Sequence, residues 1–219
     1  MKSILAWHFL SDDRCLRFGG RKKVSAGQIV RVKGPPVLCE HGLHGSRRAI
    51  DALGYAPGSI VCRVRIGGDI VRGTDKLAGT ARTILAMADA TAVLHEFACW
   101  CAERALKSAN VNDPVFLAAI ETKRRWMRGA ATAADLEAAR SAAWSAAWTA
   151  RSAARTAART AVWAAAPSAE RLAALSAAWS AARSEALAAA WGAARSAELS
   201  AQNKKLTAML KKLFQHKGT

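Results

Sequence analysis

A four-residue beat runs through residues 138–200: Ser or Thr, two alanines, then Trp or Arg. Ser141-Ala142-Ala143-Trp144 and Ser145-Ala146-Ala147-Trp148 set it, Ser152-Ala153-Ala154-Arg155 and Thr156-Ala157-Ala158-Arg159 repeat it, and Ser176-Ala177-Ala178-Trp179 resumes it beyond Pro167. Alanine has the best intrinsic helix propensity and is depleted in strands, so a chain built this way is helical over its back half. Thr132 with Asp135 three residues on predicts a capping box that uses the shorter acid. From there a first rod should reach about residue 166, roughly 50 Å at 1.5 Å per residue. Pro167 begins a second arm, with Ser168 and Glu170 at its fresh N-terminus, and that arm should reach about residue 214.

The large side chains of the first arm share one stripe. At 100° per residue, Arg140, Trp144, Trp148, Arg151, Arg155, Arg159 and Trp163 fall at about 0, 40, 80, 20, 60, 100 and 140°. In the second arm Leu175, Trp179, Arg183, Leu187, Trp191, Arg195 and Leu199 keep a strict spacing of four, so that row winds around the rod and must divide its contacts. Two uses of the first stripe stay open. It is a platform on which bases stack while guanidinium groups hold phosphate, or it is a packed seam in which each Trp fills the space facing alanines. A membrane-surface helix needs its apolar and cationic faces apart, and here they coincide.

The front half is mixed in composition and reads as strands and short helices. Residues 4–9 predict a first strand, residues 15–18 a second, and residues 28–32 a third with one wet face. Ser46 is a candidate N-cap for a short helix that ends at Gly54. Residues 59–66 form the clearest strand, and Gly67-Gly68 suggests a hairpin back into residues 69–72. Residues 80–107 show helical spacing, and a further helix runs from 113 to about 128 with Pro114 in its first turn. The expected fold class is therefore α+β: a small mixed domain over residues 1–110, a connecting helix over 111–131, and a long Ala-rich helical hairpin over 132–219.

Charge narrows the partners. Thirty-three Lys and Arg stand against 16 Asp and Glu, a formal charge of +17. Residues 1–110 hold +8 of it and residues 111–219 hold +9, so both halves attract the same anion. Nucleic acid, a nucleotide-type ligand or a host protein complex are the expected partners, with a homo-oligomer through the C-terminal helices. An Arg or Glu interrupts every long apolar run, so no membrane span is expected. The five cysteines are an odd number, and His8, Asp12 and Asp13 break up the start of the chain where a secretory segment would lie. Reduced thiols in a bacterial cytoplasm fit these features.

Three groups of residues could carry chemistry. Cys39, His41 and His44, spaced Cys-x-His-x-x-His with no second paired cluster, match no strong zinc pattern, so neither metal nor cofactor is expected. Cys99 and Cys101, two apart on a helix, read as core. In the crossing Glu40-His41-Gly42-Leu43-His44, the glycine allows close backbone approach and the imidazoles offer donors near neutral pH. With Arg47 and Arg48 behind it, that loop reads as a ligand site made of Glu40, His41, Gly42, His44, Arg47 and Arg48, set in a basic cleft.

Trp7-His8-Phe9, then Cys39-Glu40-His41-Gly42-Leu43-His44, then Ala52-Leu53-Gly54-Tyr55-Ala56-Pro57-Gly58 and Cys62-Arg63-Val64, ahead of an Ala/Trp/Arg-rich tail, resemble an uncharacterised family of bacteriophage and prophage proteins. The resemblance spans nearly the whole chain and implies a phage origin and a host-directed or counter-defence role. A fainter likeness links the front domain to the ADP-ribosyltransferase fold of the poly(ADP-ribose) polymerase type. Here His8 follows Trp7, His44 stands where that family has its first Tyr, and Tyr55 matches the second, while Glu96 and Glu103 fall in the expected helix. That likeness implies His8, His44 and Tyr55 around a nicotinamide or ADP-ribose group. The first reading is a non-enzymatic binding protein; an ADP-ribosyltransferase-like enzyme and a structural scaffold are the alternatives.

Overall fold

The computed structural model describes residues 3–16, 22–149 and 193–215. It divides into two compact units, one made of Met1–Thr91 with Leu206–Thr219 and the other of Ala92–Lys205. The class is α+β, with an antiparallel sheet and one short helix first and longer helices after it. In order, the elements are β1 (Ile4–Leu10), β2 (Ile29–Arg31), β3 (Leu43–Gly45), α1 (Ala49–Gly54), β4 (Ile60–Arg72), β5 (Leu77–Asp89), α2 (Thr91–Ser108), α3 (Pro114–Met127), α4 (Ala133–Thr149) and α5 (Ala193–Gln215).

The first unit is organised by the two long strands. β4 and β5 pair over nearly their full length, β1 flanks β4, and both β2 and β3 pair with β5. One face of this sheet buries Ala6 and Leu10 from β1, Cys62, Val64 and Ile66 from β4, and Leu77 and Ile84 from β5. Burying each such aliphatic side chain contributes roughly 1.5–3 kcal/mol. The last turns of α5 belong to the same unit, where Leu206 and Leu210 are fully buried and Phe214 stacks on Trp7 with centroids 6.2 Å apart.

Three expectations from the sequence fail here, each for a physical reason. Residues 80–89 form strand rather than helix, because β4 needs a partner of its own length and β5 supplies it. The period-2 signal is hidden because one inward position of β5 is an arginine, Arg82. Gly67-Gly68 is a bulge within β4 instead of a hairpin turn: Gly67 pairs with Ala81 and Ile70 with Gly79, which leaves one extra residue on β4. The chain reverses later, where the Gly73 amide donates to the Lys76 carbonyl at 2.8 Å. Ser46 does not cap α1, whose N-cap is Arg48. The Ser46 backbone is already committed to Trp7, with reciprocal N–H to carbonyl bonds of 2.9 and 2.7 Å that tie the segment after β3 to β1. Cys15 makes an isolated bridge to Lys23, while Arg17 and Phe18 of the expected second strand lie outside the described residues.

In the second unit α3 packs on α4, and charges join the helices. Arg124 of α3 reaches both Glu96 and Glu103 of α2, and Arg104 of α2 pairs with Glu198 of α5 at 2.6 Å. Asp113 caps α3 by accepting from the Val115 amide at 3.0 Å. The capping box at the start of α4 is present: the Thr132 amide donates to Asp135 at 2.8 Å and the Asp135 amide donates to the Thr132 hydroxyl at 3.1 Å. Cys99 and Cys101 are core residues, as their spacing suggested. Pro167 and most of the expected second arm fall in residues 150–192, outside the described residues.

Gly79 is where β5 is squeezed between its neighbours, since it pairs with Leu43 of β3 and Ile70 of β4. A β-carbon there would lie 2.5 Å from Ile66 Cγ2 and 2.7 Å from the Gly67 carbonyl. Gly79→Ala should therefore lower unfolding free energy in urea by about 1–3 kcal/mol. Gly54→Ala, which meets nothing within 4 Å, should leave it nearly unchanged.

Candidate functional site

Against the first unit's sheet lies a cavity of about 400 Å³. Its lining includes Trp7, His8 and Phe9 from β1, Cys39 and Gly42 to Ser46 around β3, Ala52 of α1, Tyr55 just after it, Lys76 and Arg82. Among the described residues neither Asp nor Glu lines it.

Strand geometry brings the distant parts together. His8 sits opposite Cys62 in the β1–β4 register and shares a face with Ala6 and Leu10. Arg82 sits opposite Ile66 in the β4–β5 register, on that same face. β3 pairs with β5 two turns of the pleat away, with His44 opposite Ala78. Close approach there requires Gly42, at φ +115°, because a β-carbon would stand 3.1 Å from Pro36 Cβ and 3.3 Å from Ala78 Cβ.

Arg82 is the residue that composition and spacing did not reveal. It is 3% exposed, and its Nη1 donates to the His44 carbonyl at 3.0 Å. Its Nε has no hydrogen-bond partner, and no carboxylate pairs with it among the described residues. Burial pulls its pKa down to about 10, so it remains charged at neutral pH. Cys62 beside it supplies no counter-charge, since burial pushes that thiol up to about 12.

Both imidazoles of the cavity are neutral near pH 7. His8 is driven well below 6.5 by burial first, then by the positive charge of Arg82 and the neighbouring His44. The residue is half-buried and borders the cavity. His44 is lowered mainly by burial, against a hydrogen bond with the Gly42 backbone that raises it. Its Nε2 accepts from the Cys39 amide at 3.2 Å, so the ring is held by backbone on both sides. Cys39 presents that amide from a left-handed conformation, φ +71°.

The outer part of the site is a smaller cluster. Tyr55 is 48% exposed and its hydroxyl donates to Asp75, while the Lys76 ammonium lies 4.3 Å from the centre of its ring. Hydrogen bonds to Cys39 and Tyr55 raise the Lys76 pKa, so it stays charged.

Of the loop read as a ligand site, Gly42 and His44 line the cavity. Glu40 and His41 are exposed outside it, and the His41 ring bonds to the Lys33 carbonyl at 2.7 Å. Arg47 and Arg48 are also exposed and absent from the lining, and Arg48 pairs with Asp51 at 3.7 Å. The three residues implied by the transferase likeness, His8, His44 and Tyr55, do share the cavity. Of the Trp/Arg stripe, Arg140 bonds Glu137 at 3.0 Å and Trp144 is 43% exposed on α4. Trp148 lies within α4, its side chain outside what is described, as are Arg151, Arg155, Arg159 and Trp163. Among the described residues no group of three or more His, Cys, Asp or Glu is placed to hold a metal ion, and no helix is long and apolar enough to cross a membrane.

Residues 11–96 match the family described as a domain of unknown function (DUF7666). That stretch contains β2 to β5 and most of the cavity lining, Tyr55, Lys76 and Arg82 included. No curated protein and no solved structure matches the chain.

The pH dependence of folding follows from the histidines. In the unfolded chain each titrates near 6.5, whereas His8 and His44 are lowered in the fold and His95 is lowered to about 4 by burial and Lys123. Below pH 6.5 the unfolded state therefore binds more protons, and stability falls as pH falls. Urea unfolding from pH 7.5 to 4.5 should show that decline, at most about 1.4 kcal/mol per pH unit for each histidine. His8→Gln should make it shallower; a flat profile in the parent protein would contradict the neutral, buried assignment.

Proposed function

We propose that the first unit is a ligand-binding domain without catalytic activity of its own, phage-encoded and host-directed, that takes a nucleotide-type ligand in the β1–β3–β5 cavity. One observation carries this reading: among the described residues the lining combines two cations, Arg82 and Lys76, two neutral imidazoles and aromatic walls, with no carboxylate. Such a lining favours an anion attached to a flat, partly apolar group, and its volume suits a molecule of nucleotide size. The formal charge of +17 adds long-range attraction for the same class of ligand, and leaves a polyanion or host complex as a partner for the rest of the chain.

The second reading is an ADP-ribosyltransferase-like enzyme, favoured by the convergence of His8, His44 and Tyr55 on one cavity. A ribosyl cation forming there needs a nearby negative charge, and the described lining residues offer none. Binding without turnover is therefore the better fit to this chemistry.

Equilibrium dialysis with AMP, ADP-ribose and NAD, followed by assay for free nicotinamide, separates the readings. Binding of at least one of them with no nicotinamide released is the expected result. Nicotinamide release that disappears in His8→Gln would establish the enzyme instead, and absence of binding by all three would remove the nucleotide-type ligand.

A further inference from the structure

We infer that Arg82 and His8 form a phosphate-monoester site on the sheet wall of the cavity, with Lys76 supplying the second positive charge at its margin. The inference rests on the nucleotide-type reading and goes further by naming the group that is recognised.

Arg82 supplies the first argument. A guanidinium carries five N–H donors, and this one spends Nη1 on the His44 carbonyl while Nε has no partner. Its surroundings are Ile66 across the strand pair, the neutral Cys62 thiol and the two neutral imidazoles, so among the described residues no fixed charge balances it. A buried cation left this way is a standing cost, and an anion brought in by a ligand removes it. The guanidinium fork also matches a phosphate better than any neutral acceptor.

Charge counting selects the anion. Among the described residues two permanent positive charges line the cavity, Arg82 and Lys76, and no negative one does. Asp75, which accepts from the Tyr55 hydroxyl, is not part of the lining. A carboxylate ligand would leave one cation unbalanced. A phosphate monoester carries about −1.5 to −2 at pH 7 and balances both. It also brings three acceptor oxygens for Arg82 and for an N–H of His8, whereas both sides of the His44 ring are held by backbone.

The groups facing His8 are Arg82 from β5, His44 from β3 and the Cys62 thiol from β4; α1 contributes uncharged Ala52 to the lining. Positive Arg82 beside it opposes protonation in the empty cavity. A dianion seated between them reverses that balance, so His8 takes up a proton as phosphate binds. Affinity should rise as pH is lowered from 8 towards 6.5, for as long as the phosphate keeps its second charge.

Titration calorimetry on the full chain with AMP, adenosine and inorganic phosphate at pH 7.5, each in two buffers of different ionisation enthalpy, tests this. AMP should bind about tenfold or more tightly than adenosine. The buffers should report net proton uptake for AMP and for phosphate, and none for adenosine. Arg82→Gln should erase the AMP preference, Arg82→Lys should keep part of it, and His8→Gln should erase the proton uptake. Far-ultraviolet circular dichroism identifies any variant that fails to fold, and the wild-type arms decide the question without it. Binding of AMP and adenosine with equal measurable affinity, or binding of neither AMP nor phosphate, would overturn the phosphate site. Phosphate bound with proton uptake while AMP is refused would support the phosphate site and sink the nucleotide-type reading.

Discussion

A guanidinium enclosed by an apolar sheet, with no counter-ion among the described residues, is the constraint around which the first unit is built. Arg82 stands among Cys62, Val64, Ile66 and Ile84, where an aliphatic side chain would complete the core. Its one bond is to the His44 carbonyl, and that carbonyl is in place because β3 pairs with β5, Gly42 allows the close approach and Gly79 lets the strands meet. The Ser46–Trp7 bridge then closes the same segment against β1. The local structure around the cavity thus encloses a buried positive charge.

The second unit handles charge differently. Arg124 is shared between Glu96 and Glu103, which raise its pKa. Glu198, 2% exposed, accepts from Arg104 and from Gln202. Arg124, Glu198 and Arg104 are given opposite charges, and Glu198 a neutral donor as well, the arrangement that limits desolvation cost. The contrast within one chain makes Arg82 informative, because the protein builds paired ions where the role is to join helices.

What the sequence revealed depends on how local each signal was. β1, the start of β4, α3 and the Thr132–Asp135 capping box were legible because alternation, a proline and a cap act within a few residues. β5 was not, because the inward Arg82 breaks the apolar alternation that marks a strand. Gly67-Gly68 carries the composition of a turn but the pairing of a bulge, and pairing is a long-range property. β3 is three residues long and is defined by its partner. His44 could be singled out from the Gly/His loop, and His8 and Tyr55 from a family likeness. Arg82 and Lys76 carried no local signal beyond being basic residues in a basic chain. The strand that the pattern hid and the cavity residue that it hid therefore have one cause, since a polar group at an inward position disturbs the pattern that reports structure.

If the buried charge is retained for a ligand, removing it should stabilise the empty protein. The most direct measurement is the Tm of Arg82→Met against the parent chain at pH 7.5 in phosphate-free buffer, with circular dichroism confirming the fold. The account requires the variant to melt higher, by about 2–4 °C for each kcal/mol of desolvation cost relieved, because a side chain of similar length replaces an uncompensated ion with apolar surface. A variant that melts several degrees lower would show that Arg82 is a structural requirement of the sheet, and would contradict the claim that it is held there for an anion.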